Sequence, residues 1–204
     1  NLESCSSMYN SAMETWLKRL LSDSEFYWEW MMEENEDVAL AMPKVLFLNG
    51  SVQCLAKLLP TPVDLFCRFF MPAKLIVRRN NKFELRHSGY DREMNVPFLS
   101  GCFMFLRVSA LKSEGIFDER FFMYMEDVDL TRRLHAKHKT LFYPSVSIYH
   151  RFSRLSYHKW KLSLAHMASV VKYFNKWGWI YDSSRRRFNK TLLKELKQQT
   201  KDED

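Results

Sequence analysis

Gly115-Ile-Phe-Asp-Glu-Arg-Phe-Phe-Met-Tyr-Met-Glu-Asp-Val-Asp-Leu130 sets three carboxylates, Glu126, Asp127 and Asp129, directly behind the aromatic run Phe121-Phe122-Met123-Tyr124. Like charges this close repel, so the chain must supply compensation: a cation, a helix N-terminus, or a raised pKa on one member. Each of these is also a way to build a catalytic site. The plain alternative is a helix start, because acidic residues in a first turn meet free N–H groups and the positive dipole end. That accounts for one or two acids more readily than for three beside an aromatic run that restricts water.

Outward from this stretch the chain alternates short strand-like and helical segments. Val38 to Met42 and Val45 to Leu48 read as strands parted by Pro43, and Asn49-Gly50 is a hairpin signal that would return Ser51 to Leu55 as a strand. Val63 to Phe70 reads as a short helix. Met71 to Glu93 is polar and aperiodic and predicts a long surface loop. Val96 to Arg107 is nearly continuous apolar sequence around Ser100-Gly101-Cys102, which predicts one buried strand with Gly101 where another backbone or a ligand comes close. Helices are expected at Met13–Leu21, Ser24–Met32, Ser109–Glu114 and Glu126–His138, with strands Leu141–Tyr143 and Val146–Tyr149 around Pro144. In a last helix, Trp160, Leu164, Met167, Val171 and Phe174 fall at helical spacing up to Gly178, and a charged tail after Ser183 predicts a frayed helix.

The 204 residues fit one domain with an appendage, and a hydrophobic share of 47% supplies a core. Net charge is +7, with the basic excess after Arg132, which suggests an anionic partner or a solvated basic surface. The four cysteines, Cys5, Cys54, Cys67 and Cys102, form no C-x-x-C pair and predict a reducing, cytoplasmic setting without disulfides. No apolar stretch is long enough for a membrane span. The chain lacks a P-loop, G-x-S-x-G and G-x-G-x-x-G, which argues against P-loop kinase, α/β-hydrolase and dinucleotide chemistry. His150, at the end of a strand-like run, reads as a structural hydrogen-bonder or, with the acids, as a metal ligand. His135, His138, His158 and His166 match no closed zinc site and are expected in surface roles.

At these residues the chain resembles family 2 glycosyltransferases of the GT-A type, especially the bacterial rhamnosyltransferase-like group. The similarity rests on Pro43-Lys-Val-Leu-Phe-Leu-Asn-Gly-Ser-Val-Gln53 followed by Leu59-Pro-Thr-Pro-Val-Asp64, and on Phe98-Leu-Ser-Gly-Cys-Phe-Met-Phe105. The Gly115–Leu130 stretch with Arg133 is its most specific part, joined by Tyr143-Pro-Ser-Val-Ser-Ile-Tyr-His150 and Lys172-Tyr-Phe-Asn-Lys-Trp-Gly178. It covers roughly Asp37 to Tyr181.

The resemblance implies an α/β, Rossmann-related fold represented by its acceptor-side C-terminal part, with a C-terminal helical extension. The family's nucleotide-binding strand and Asp-rich metal motif do not precede residue 38. Expected segments are N-terminal helices over 1–36, the acceptor-side core over 37–157, and an amphipathic helix with a basic tail over 158–204. The implied reaction is inverting transfer of a hexose, rhamnose among the candidates, from a nucleoside-diphosphate sugar to a cell-surface glycan or polyprenyl-linked acceptor. Asp127 would be the base, with Glu126 beside it; Ser100, Gly101, Cys102, Asp129 and Arg133 would bind substrate. His150 would help hold a divalent cation, Mn²⁺ or Mg²⁺. The final helix and Arg185-Arg186-Arg187 also suit the inner face of an anionic membrane, approached peripherally. No nucleic acid is expected as a partner of the enzyme. The rival from another class is a non-catalytic basic module that binds anionic lipid or nucleic acid.

Overall fold

The computed structural model describes residues 28, 31–151 and 160–202. The chain divides into two compact units, Asn1–Asp37 and Val38–Asp204. The expected helix over Met13–Leu21 lies outside the described residues. Of the one over Ser24–Met32, Trp28 and residues 31–34 are helical, and the Asn35 side chain donates to Met31 O at 2.8 Å.

The second unit is a mixed α/β structure built on a four-stranded sheet of order β3-β6-β1-β5. Its centre is β1 (Val38–Leu46), in which Ala39, Leu40, Ala41 and Met42 have no exposed surface. A strand covered on both faces must be apolar at consecutive positions, which is what this segment offers. β1 runs parallel to β6 (Lys139–Tyr149) and antiparallel to β5 (Phe105–Leu106); β3 (Met94–Asn95) lies antiparallel on the far side of β6. The two prolines do not split these strands as expected. Pro43 pairs with Tyr143 and Lys44 with Ser147, so Pro144, Ser145 and Val146 bulge out of register between them. Proline cannot donate to a ladder, and both prolines sit at this irregularity.

Asn49-Gly50 does turn the chain: Gly50 has φ 80°, and Asn49 Oδ1 accepts from the Ser51 N–H and hydroxyl at 3.1 and 2.7 Å. The return is a single bridge, Leu46 to Val52, not a strand through Leu55. The Gln53 side chain takes over, donating to Leu46 O at 3.0 Å and His150 O at 2.6 Å. A separate two-stranded ribbon joins β2 (Ala56–Lys57) to β4 (Phe98–Leu99).

Helix α1 (Pro62–Phe70) starts at a capping box, with Thr61 and Asp64 binding each other's backbone N–H. The expected loop over Met71–Glu93 holds two 3₁₀ turns and α2 (Val77–Phe83). Three apolar anchors, Phe83, Leu85 and Tyr90, fix it in the core, and the Tyr90 hydroxyl lies 2.5 and 2.7 Å from the carbonyls of Ala56 and Glu84. The anchors are too widely and irregularly spaced to show a period. The expected single strand over Val96–Arg107 is also broken: β4 and β5 belong to different sheets, and residues 100–104 form the loop between them.

Four further helices follow: α3 (Val108–Glu114), α4 (Glu126–His135), α5 (Trp160–Trp177) and α6 (Ser183–Asp202). Gly115 ends α3 with φ 81°. The tail is not frayed: Phe188, Leu192 and Leu196 of α6 are buried, the last two in the same core as Leu40, Met42 and Leu134. A second core joins Phe121, Met125 and Val128 to Tyr173, Phe174 and Phe188. The two C-terminal helices therefore share their cores with the sheet and α4.

Arg132 and Asp182 join α4 to the start of α6. The guanidinium donates to both Asp182 oxygens at 2.8 and 2.6 Å, to Ser184 Oγ at 2.6 Å and to the Tyr173 hydroxyl at 3.1 Å. It also stacks 4.0 Å over the Trp177 ring. Both side chains are 1% exposed. Removing one member strands the other charge without water, which costs about 3–5 kcal/mol. Arg132→Ala is expected to lower the urea unfolding free energy by that amount; a loss below ~1 kcal/mol would show that the pair is not a keystone.

Candidate functional site

Asp127 stands in the first turn of α4, facing the loop that interrupts the apolar run. Its Oδ2 accepts from the Gly101 N–H at 2.9 Å and its Oδ1 from the Val128 N–H at 2.8 Å. A Cβ on residue 101 would lie 3.3 Å from the Asp127 Cβ, so glycine is what lets the loop approach. The close approach at Gly101 is thus to a carboxylate side chain, not to the backbone or ligand expected from the sequence. Thr131, one turn along, donates to Asp127 O at 2.7 Å and reaches Leu99 O at 3.3 Å, tying the helix start to β4.

The backbone entering α4 is strained. Tyr124 and Met125 have φ 65° and 67°, and neither is glycine. Each such residue costs about 1–3 kcal/mol and persists only where its surroundings fix it. Here Met125 and Phe121 are buried, Ser169 of α5 donates to Met123 O at 2.7 Å, and the Tyr124 ring stacks on His166 at 4.2 Å. The strained pair turns the chain sharply from the aromatic run into Glu126-Asp127.

Burial pushes the Asp127 carboxyl above the ordinary aspartate range, and the Gly101 and Val128 amides and the charge of Lys57 only partly offset it. Burial likewise raises Glu126, whose Oε2 is buried with no hydrogen-bond partner. Cys102 is half-buried, and burial raises its thiol too. The site is therefore a pair of adjacent carboxyls that hold protons more tightly than usual, over a loop of small residues, Ser100-Gly101-Cys102.

The other sequence-derived residues lie in different surroundings. Asp129 has no exposed surface; it accepts from Arg133 Nε at 2.9 Å, Trp177 Nε1 at 2.7 Å and Lys176 Nζ at 2.7 Å. Arg133 donates to the carbonyls of Glu114, Gly115 and Ile116, the last two at 3.1 and 2.6 Å. These contacts hold the turn after α3 and engage Asp129 and Arg133, both expected to bind substrate, within the fold. His135 is no surface residue either. The Thr140 hydroxyl donates to Val96 O at 2.6 Å, so it must accept from His135 Nδ1 at 2.7 Å. Burial lowers that imidazole to about 4.

His150 closes β6, with its N–H on Leu46 O at 2.9 Å and its Nδ1 3.3 Å from Gln53 Oε1. Among the described residues no three His, Cys, Asp or Glu side chains gather to hold a metal ion. A lone imidazole facing an amide does not make a cation site, so the described residues do not fit the expected metal. Lys57 was missed in the sequence; its signal was a single cation within the apolar stretch Leu55 to Leu59.

The chain is similar, over part of its length, to a known glycosyltransferase. Two curated sequences of Mycobacterium tuberculosis, strains CDC 1551 / Oshkosh and ATCC 25618 / H37Rv, are each named N-acetylglucosaminyl-diphospho-decaprenol L-rhamnosyltransferase. Each is 48% identical over 59 residues. The match takes in 28% of this chain and 19% of each relative, so the chain matches about a fifth of their length. No family model matches the chain, and no solved structure does.

Two outcomes follow from this geometry. A carboxyl whose folded pKa lies above its unfolded value disfavours the ionised native state, so its contribution to stability falls as pH rises through the folded pKa. Asp127→Asn removes the ionisation and keeps an oxygen for Gly101 but sets an NH₂ against the Val128 N–H, so its Tm relative to the parent is expected to rise between about pH 4 and about pH 8; a relative Tm that falls over that range would show that the charge stabilises the fold. For His150→Ala in the whole protein, the midpoint of any Mn²⁺ binding read by calorimetry should stay in place. A shift of tenfold or more to higher Mn²⁺ would reinstate His150 as a ligand.

Proposed function

We propose that this chain is the base-bearing, acceptor-side part of an inverting glycosyltransferase of the GT-A type, family 2. The enzyme would move a hexose, with rhamnose the first candidate, from a nucleoside-diphosphate sugar to a glycan or a polyprenyl-linked acceptor. The observation that carries the reading is the Asp127 carboxylate, pinned by the Gly101 amide at the end of a strained turn and raised in pKa by burial. The partial identity to the mycobacterial rhamnosyltransferases supports the reaction class.

A general base needs a fixed position and a pKa moved toward the working pH, and Asp127 has both. The acceptor hydroxyl donates to an Asp127 oxygen, and its own oxygen attacks the anomeric carbon from the face opposite the diphosphate. The new C–O bond forms as the bond to the diphosphate oxygen breaks; the proton passes to Asp127 and the electron pair leaves with the diphosphate. Configuration inverts because attack and departure lie on opposite faces. Gly101 holds the base by its backbone amide, so that role needs no side chain. Glu126, protonated more readily than usual, limits the like-charge repulsion on its neighbour.

The test is transfer of labelled rhamnose from its nucleoside diphosphate to N-acetylglucosaminyl-diphospho-polyprenol by the whole protein that contains this chain. Asp127→Asn is expected to lower kcat by ~10²–10⁴-fold while the protein stays folded. Retention of more than about a tenth of kcat would move the base to Glu126 or sink the reading.

A further inference from the structure

The membrane-facing surface expected from the sequence was α5 together with Arg185-Arg186-Arg187. Two cations of α5 itself are engaged within the fold. Lys172 donates to Arg120 O at 2.8 Å, and Lys176 pairs with Asp118 and Asp129 at 2.7 Å each. Leu164, Met167 and Val171 of the expected stripe are exposed, and Phe174 turns into the core.

A row of exposed positive charge lies along α6. Arg186, Lys190, Lys194 and Lys197 are exposed, and among the described residues none of them forms an ion pair. At about 100° per residue they fall within an arc of ~80° on the helix, and Glu195 falls on the opposite side. With Arg185, Leu193, Asn189 and Thr61 they line an open groove of about 540 Å³ that has no acidic member. The helix cannot roll away, because Phe188, Leu192 and Leu196 on another face are buried.

Three kinds of anion could meet such a groove, and its make-up separates them. A single phosphate needs donors that converge, whereas these four cations spread over about 16 Å of helix at 1.5 Å per residue. A nucleic-acid strand needs aromatic platforms for its bases, and the lining holds none. An array of phosphate head groups in a leaflet needs only a row of exposed cations on a rigid support. We propose that the Arg186–Lys197 face of α6 is an electrostatic docking surface for an anionic lipid leaflet, adsorbing to head groups without inserting a span. The surface does not depend on the transfer reaction, so either reading can fail alone.

Co-sedimentation of the full chain with vesicles of phosphatidylglycerol and phosphatidylcholine (1:1), and of phosphatidylcholine alone, tests this. Binding is expected to the first only, and to weaken steeply between about 50 and about 300 mM salt, as the Debye length shortens. Each cation near the surface contributes about a fivefold factor. Removing four together, Arg186→Gln, Lys190→Gln, Lys194→Gln and Lys197→Gln, should thus weaken partitioning by about 10²–10³-fold. The same loss of charge at Lys112, Lys137, Lys139 and Arg151 should cost far less. Circular dichroism melts of both variants confirm that each is folded. Equal losses from the two sets would reduce the effect to net charge and overturn the proposal. So would tighter binding, at matched salt, to a single-stranded oligonucleotide or to inorganic pyrophosphate than to the vesicles.

Discussion

Helix α4 carries ionised side chains into the interior, and the second half of the fold is organised by what neutralises them. Arg132 is met by Asp182, which places the start of α6. Asp129 is met by Lys176 and Trp177, which places the end of α5, and by Arg133 from its own helix. A buried charge without its partner costs several kcal/mol, so these contacts act as conditions on the fold more than as additions to it. Burial works against the ionised Asp182, but the Arg132 hydrogen bonds hold its carboxyl below the usual range. The pair is stable as a pair, and the two C-terminal helices have one place to go.

The same helix shows how two aspartates, two residues apart, come to do different work. Asp129 points inward and receives an ammonium, a guanidinium and an indole N–H. Asp127, about 200° round the helix from it, receives only two backbone amides and the distant charge of Lys57. Backbone amides fix a carboxylate in place but carry no full charge, so they orient Asp127 without wholly offsetting its burial. That is the balance the proposed base requires, and the different surroundings follow from the spacing Asp-Val-Asp on a helical period.

What was legible in the sequence follows the same physics. The β1 and β6 segments, the start of α4, the Asn49-Gly50 turn and the end of α5 near Gly178 are set by local chemistry: apolar runs, acids at a helix start, glycine at positive φ. The neighbourhood of Gly101 and Asp127 came partly from such signals and partly from the resemblance. The errors are of another kind. Met71–Glu93 hides three core anchors among charged residues, and the Val96–Arg107 run is divided between two sheets by pairing partners far away in sequence. The inward contacts of Asp129 with Lys176 and of Arg133 with the turn after α3 were likewise not legible, because their partners lie far away in sequence. The α6 tail looked frayed because its apolar residues, Phe188, Leu192 and Leu196, are thin in a strongly charged segment, yet one apolar residue per turn suffices where a core is already waiting.

The strained turn connects these observations. Tyr124 and Met125 hold left-handed conformations that neither residue favours, and nothing in Glu126–His135 needs them for helix formation. An ordinary N-cap would give α4 a more stable start. The strain aims the first turn of α4 at the Ser100–Cys102 loop, and the Phe121–Met125 packing with the Ser169 hydrogen bond pays for it. Thr131 then fastens the helix to Leu99, so that the loop and the helix start form one rigid piece with Gly101 and Asp127 2.9 Å apart at its tip. A chain that only needed a stable core would gain by relaxing this turn, whereas a chain that needs a carboxylate held at a fixed point gains by keeping it.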